Sequence, residues 1–252
     1  MEKKEFIEAY LACMRACDLT AFATPILGER FWELTERLLA FDAHTNLTAV
    51  TEPHEILYKH YADSLRVAAF LPLGAHVLDV GCGGGFPCLP LAIARPDLTL
   101  TALDSTAKKL VFVAETASAM GLSLTTCAGR AEELSAPGQP MRDHYDAVVA
   151  RAVAALPVLV ELCLPFVRVG GSFFAMKGAR AAEELEAAKG GIGKLGAKLT
   201  ARHAVDLPPA SSWWCAGDAL PQERTVFEMK KESPTPKELP RNYGRIKKHP
   251  LA

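Results

Sequence analysis

The sequence is poor in net charge, in paired cysteines and in long apolar runs, and each shortage removes a class of protein. Its 28 Lys/Arg against 29 Asp/Glu leave a formal charge of −1. Bulk charge therefore marks neither a nucleic-acid binder nor a membrane-surface protein. The seven cysteines are odd in number, and no two stand in CxxC spacing. This argues against a disulfide framework and a zinc cage, and it suggests a reducing cytoplasm. The start, Met1-Glu2-Lys3-Lys4-Glu5, is mixed in charge and leads to no signal-type apolar stretch. The longest apolar region, 152–169, is broken by Pro157, Glu161, Pro165 and Arg168. It reads as a buried helix and a loop, with no membrane association. No repeat recurs at solenoid spacing.

What is present suffices for a large core. The chain has 252 residues, 50% of them hydrophobic, enough for one α/β domain with or without an extension. Charge is unevenly spread. Residues 1–52 hold five Lys/Arg and nine Asp/Glu, whereas residues 230–248 hold seven against two. Helical spacing covers 2–17, 28–41 and a stretch from Glu52-Pro53 to about residue 70, on which Leu57, Tyr61 and Leu65 share a core-facing stripe. Residues 1–72 are thus an N-terminal helical extension.

From residue 75 the pattern alternates. Strand-like runs at 75–80, 98–103, 122–127, 145–150, 171–176, 198–207 and 224–230 are separated by helical stretches at 87–94, 105–120, 156–167 and 179–194. This predicts an α/β fold, a mostly parallel seven-stranded sheet flanked by helices, over residues 73–232. Residues 233–252 follow as a basic, proline-containing segment extended over the surface, within a single structural domain overall.

The stretch Leu78-Asp79-Val80-Gly81-Cys82-Gly83-Gly84-Gly85-Phe86-Pro87 is the strongest signal. A strand ending in a glycine turn and followed by a helix cradles a nucleotide, because the backbone must bend sharply and approach the ligand closely. The dinucleotide fingerprint G-x-G-x-x-G would need glycine where Phe86 stands. The alternative places Asp79 two before Gly81, then Gly83 and Gly85, the pattern of α/β methyltransferases that bind S-adenosylmethionine. In either case Asp104, 23 positions after Gly81, can accept hydrogen bonds from ribose hydroxyls, or else cap the following helix.

Further stretches join this one: Asn46-Leu47-Thr48, His60 with Asp63-Ser64-Leu65, Leu103-Asp104-Ser105, Gly129-Arg130-Ala131-Glu132, Ala150-Arg151-Ala152, Met176-Lys177-Gly178 and Pro240-Arg241 with Gly244 and Lys248. Together they resemble the RsmG (GidB) family, bacterial methyltransferases acting on guanine N7 of 16S ribosomal RNA. Leu239 departs from the aromatic usual before Pro-Arg. The resemblance implies a Rossmann-like class I methyltransferase fold with S-adenosyl-L-methionine as cofactor. It implies a cofactor site of Asp79, Gly81, Gly83, Gly85, Phe86, Asp104, Ala131, Glu132 and Arg151. The partner it implies is 16S ribosomal RNA, within the small ribosomal subunit or its precursor, met by a monomer in the cytoplasm.

Guanine N7 carries a lone pair and no proton, so its methylation needs no general base. The sequence lacks the Asn/Asp-Pro-Pro-aromatic motif of amine methyltransferases, and no nucleophilic cysteine and no metal are expected. Catalytic candidates are Arg151 and Lys177, which can hold guanine O6 or phosphates. Asn46 and His60 are expected at the base-pocket rim, and Arg241, Arg245, Lys247 and Lys248 on phosphates. Loss of 233–252 is expected to weaken RNA binding and spare cofactor affinity. The residues also leave open a methyltransferase for another substrate and a non-catalytic nucleotide- or RNA-binding protein.

Overall fold

The computed structural model describes residues 1–214 and 220–251; Cys215 lies outside them. All seven expected strands form: β1 (His76–Val80), β2 (Thr99–Asp104), β3 (Leu124–Ala128), β4 (Tyr145–Arg151), β5 (Val167–Lys177), β6 (Ala197–Ala204) and β7 (Thr225–Lys231). They make one sheet in the order β3-β2-β1-β4-β5-β7-β6. Strands β1 to β5 pair in parallel, and β7 runs antiparallel to β5 and β6. The order reverses between β1 and β4, which opens a crevice at their carboxyl ends.

The sequence period of two divides the core between the faces of the sheet. Val77, Ala147 and Val149 join one apolar cluster, while Leu78, Val80, Val148 and Ala150 join the other. The first face is covered by α1 (Lys3–Ala16), α2 (Pro25–Asp42), residues 56–62 after the short α3 (Pro53–Glu55), α4 (Asp63–Leu65), α5 (Cys88–Ala94) and α6 (Ala107–Ala119). Phe6, Tyr10, Phe31 and Tyr61 from the amino-terminal segment are fully buried there. That segment is a structural layer of the sheet. Strand β3 is followed by the single turn α7 (Ala131–Leu134); α8 (Leu156–Cys163), α9 (Ala181–Lys194) and α10 (Tyr243–Lys248) cover the second face.

Three boundaries differ from expectation for local reasons. Helix α2 begins at Pro25, with the Thr24 hydroxyl accepting from Leu27 N at 3.3 Å. The helix expected over 156–167 stops at Cys163 because Pro165 cannot donate, and a 3-10 turn leads straight into the longer β5. The helix expected over 53–70 is wound as a π-helix from Ile56 to Ala62. Leu57, Tyr61 and Leu65 still share the buried face. The wider winding turns Lys59 and His60 toward the crevice, a placement that π segments often serve. Among the described residues no helix is long and apolar enough to cross a membrane.

Candidate functional site

Two cavities open at the carboxyl end of the sheet. The first, of about 610 Å³, lies beyond β1 and β2 and is lined by Gly81, Gly83, Gly84, Phe86, Asp104, Ala131, Glu132 and Arg151, among others. The second, of about 620 Å³, lies beyond β4 and β5 and is lined by Lys59, Asp63, Lys177, Arg180, Glu184 and Arg224, among others. His60, Arg151 and Ala152 belong to both walls, so the cavities meet there.

The glycine turn builds the first cavity. Gly81 N and Cys82 N both donate to Leu103 O, which clamps the turn onto the end of β2. Gly81 and Gly83 have φ of +74° and +55°, backbone that side chains rarely adopt. A Cβ at Gly83 would meet nothing within 4 Å, whereas one at Gly85 would fall 2.4 Å from Leu89 Cδ1. Gly83 therefore borders open space for a ligand. Gly85 does not line the cavity, contrary to expectation, and instead allows the first turn of α5 to pack.

The carboxylates divide in the same way. Asp104 lines the cavity, yet its two oxygens accept from Gly83 N at 2.9 Å and Thr106 N at 2.7 Å. Asp104 faces the ligand space and closes an Asx turn on Thr106 N, but it does not cap α6, whose N-cap is Thr106 with no side-chain cap bond. Asp79 corrects the sequence reading. It is fully buried beneath the turn, outside the cavity lining, and Oδ2 accepts from Cys88 N at 3.0 Å. Oδ1 has no partner among the described residues. Burial, only partly offset by the Cys88 bonds, pushes its pKa up to about 7. It is a brace of the turn, not a charge presented to a ligand. Cys88, which forms a Pro-Cys pair with Pro87, is fully buried and its thiol is pushed up by burial, so it is no exposed nucleophile.

Arg151 ends β4 and is held in place by the π segment. Its Nη1 donates to Asp63 Oδ2 at 2.7 Å and to Lys59 O at 2.9 Å, while Arg224 Nε donates to Asp63 Oδ1 at 2.9 Å. The buried Asp63 thus orients two guanidinium groups at once. His60 stacks on Phe86 with centroids 4.4 Å apart, and Nε2 lies 2.9 Å from Thr48 Oγ1. Burial, with the Arg151 charge, pulls its pKa down to about 4, so the ring is neutral near pH 7. Lys177 sits in the second cavity only, bonded to Glu184 at 2.6 Å and to Ala154 O at 2.8 Å.

Two expected substrate residues are displaced. Asn46 does not line either cavity; its φ of +51° makes it a turn residue, and Leu47 and Thr48 line the first cavity in its place. Arg241 is no phosphate handle. Its guanidinium binds the fully buried Glu161 at 2.6–3.2 Å and is itself 14% exposed. Arg245, Lys247 and Lys248 are exposed on α10. Sequence reasoning missed Arg224, the orienting role of Asp63, and Tyr243, which enters the first cavity from α10. Only Asp63 carried a signal, its place in the Asp63-Ser64-Leu65 stretch.

The model of the family described as rRNA small subunit methyltransferase G matches residues 28–207. A protein named ribosomal RNA small subunit methyltransferase G from Deinococcus radiodurans is 44% identical over 88% of this chain and 85% of its own length. One of the same name from Halalkalibacterium halodurans is 40% identical over 89% and 91%. Among solved structures, M. jannaschii TYW2 in complex with AdoMet superposes with a TM-score of 0.52 at 14% identity, covering 67% of this chain and 74% of that one. At that identity the likeness concerns the fold.

Proposed function

The chain belongs to the rRNA small subunit methyltransferase G family, and we propose that it transfers the methyl group of S-adenosylmethionine to N7 of one guanine in 16S ribosomal RNA. The observation that carries this reading is the meeting of the two cavities at Arg151 and His60. One is walled by the glycine turn, Asp104 and Ala131-Glu132, and suits an adenosyl ligand. The other is lined by five cations, Lys59, Arg151, Lys177, Arg180 and Arg224, against Asp63 and Glu184, and suits an electron-rich base with its phosphates. The cofactor supplies a methyl group on a positively charged sulfur.

The chain's own residues then orient and exclude water. Gly81 and Gly83 let the backbone approach the ligand, and Asp104 faces its ribose hydroxyls. Arg151, pinned by Asp63 and Lys59 O, presents its remaining N–H groups where a guanine O6 would sit. Neutral His60, stacked on Phe86, lines the junction where the two cavities meet. No side chain needs to take a proton from N7, so catalysis rests on alignment. Lys177, neutralised by Glu184, positions the loop at Ala154. The expected setting is the cytoplasm and the expected substrate the small subunit or its precursor, approached by a monomer.

Mass mapping of 16S ribosomal RNA from a strain lacking this protein tests the reading. Loss of one N7-methylguanine, restored by the wild-type chain and not by Arg151→Lys, is the expected result. An unaltered map rejects it.

A further inference from the structure

Helix α10 is fastened to the body of the protein far more firmly than a surface tail requires. Arg241, just before it, makes a two-pronged contact with the fully buried Glu161. Asn242 Oδ1 accepts from Arg245 N at 3.0 Å and caps the helix, and Ile246 is fully buried. Upstream, Arg142 donates to the carbonyls of Thr235, Pro236 and Leu239. With its ends fixed, the helix holds one large aromatic ring outside the core. Tyr243 is 37% exposed and lines the first cavity.

The ring stands at a defined end of that cavity. The Arg130 guanidinium lies 5.8 Å from its centroid, and Arg130 Nη1 is 3.7 Å from Glu132 Oε1. Arg130 stands two residues past the end of β3, beside Ala131 and Glu132, and so belongs to the side of the crevice served by β2 and β3. That is where a nucleoside lies in an open α/β sheet, with Asp104 on its ribose. An aromatic face left bare at the rim of a cavity for a purine nucleoside offers stacking area that the core does not use.

We propose that Tyr243 contacts the cofactor, closing with Arg130 the nucleoside end of the first cavity. This rests on the reading of that cavity as the S-adenosylmethionine site. It gives the carboxyl-terminal segment a role in cofactor binding. The same short helix exposes Arg245, Lys247 and Lys248, so the RNA-facing charges and the cofactor wall move as one body.

Calorimetric titration of wild type, Tyr243→Ala and Tyr243→Phe with S-adenosylmethionine and with 5′-methylthioadenosine, which lacks the amino-acid part, tests the proposal. Tyr243→Ala is expected to weaken both ligands by about the same factor, roughly five- to twentyfold, the worth of one stacked aromatic face. Tyr243→Phe is expected to restore affinity for both. Equal affinities in wild type and Tyr243→Ala overturn the proposal, as does a loss confined to S-adenosylmethionine. Wild type that binds neither ligand overturns the cofactor reading itself. The melting temperature of the ligand-free Ala variant is expected to match wild type; a fall that Phe does not restore marks a structural role and overturns the contact.

Discussion

At Asp79 the fold holds a carboxyl group that ordinarily ionises near 4 in a place where it ionises only near 7. Between those values the folded chain binds a proton that the unfolded chain has released, so this group's effect on stability worsens as pH rises from about 4 to about 7. His60 acts in the opposite sense. Its pKa, pulled down to about 4, makes the unfolded chain bind the proton first, so stability is lost as pH falls from about 6.5 through 4. Comparing wild type with Asp79→Asn cancels the histidine contribution. In urea unfolding the variant is expected to be about 2–4 kcal/mol more stable than wild type at pH 8 and about equal at pH 4. Two glycines of the same turn separate binding from folding. Gly85→Ala, driven into Leu89 at positive φ, is expected to lower the melting temperature sharply. Gly83→Ala has open space around it and is expected to cost about 1–2 kcal/mol from backbone conformation while also lowering cofactor affinity, read by calorimetry.

Among elements, the carboxyl-terminal segment differs most from its sequence reading. It is fastened through a buried ion pair, and such a pair is costly to break from one side only. Arg241→Ala leaves the Glu161 charge buried without its partner and is expected to lose about 3–5 kcal/mol in urea unfolding. Adding Glu161→Leu is expected to recover most of that loss, because the uncompensated charge is removed with its partner. Deletion of 233–252, expected from the sequence to spare cofactor affinity, is expected on the Tyr243 proposal to lower it. Deleting 233–252 also exposes the Lys231 ammonium site, where burial pulls the pKa down to about 8, and removes Tyr243 from the cavity. The π-wound stretch is the other element that matters, since it carries Lys59 and His60 to the junction of the cavities and leads directly into Asp63 at the start of α4.

Across the whole molecule, the near-zero charge hides an uneven distribution. Residues 1–52 carry nine acidic and five basic residues, while Arg245, Lys247 and Lys248 stand exposed on α10, the helix whose Tyr243 lines the first cavity. Replacing these three by Gln is expected to lower the slope of log K against log salt for RNA binding by about 2, at roughly 0.7 per phosphate contact on a single strand. Cofactor affinity without RNA is expected to be unchanged, because none of the three lines the cavity. Binding of RNA fragments over a range of salt concentrations, with parallel cofactor titrations, checks both halves.

The strands, the glycine turn and Asp104 at the end of the next strand are legible in the sequence by itself, because they depend on period, turn chemistry and spacing, which are local properties. Ala131, Glu132 and Arg151 are expected through the family resemblance, and all three line the first cavity with Asp104. Tertiary structure alone decided that Asp79 and Gly85 support the turn from behind, that Asn46 turns the chain beside the cavity, and that Arg241 is a buried anchor. It also decided that Arg224 and Tyr243 reach the site. A residue's type and spacing show which element carries it. Whether a charge ends at a ligand or at Glu161, 80 positions away, depends on which elements pack together, because a buried carboxylate takes its partner from whatever the fold brings within hydrogen-bond reach.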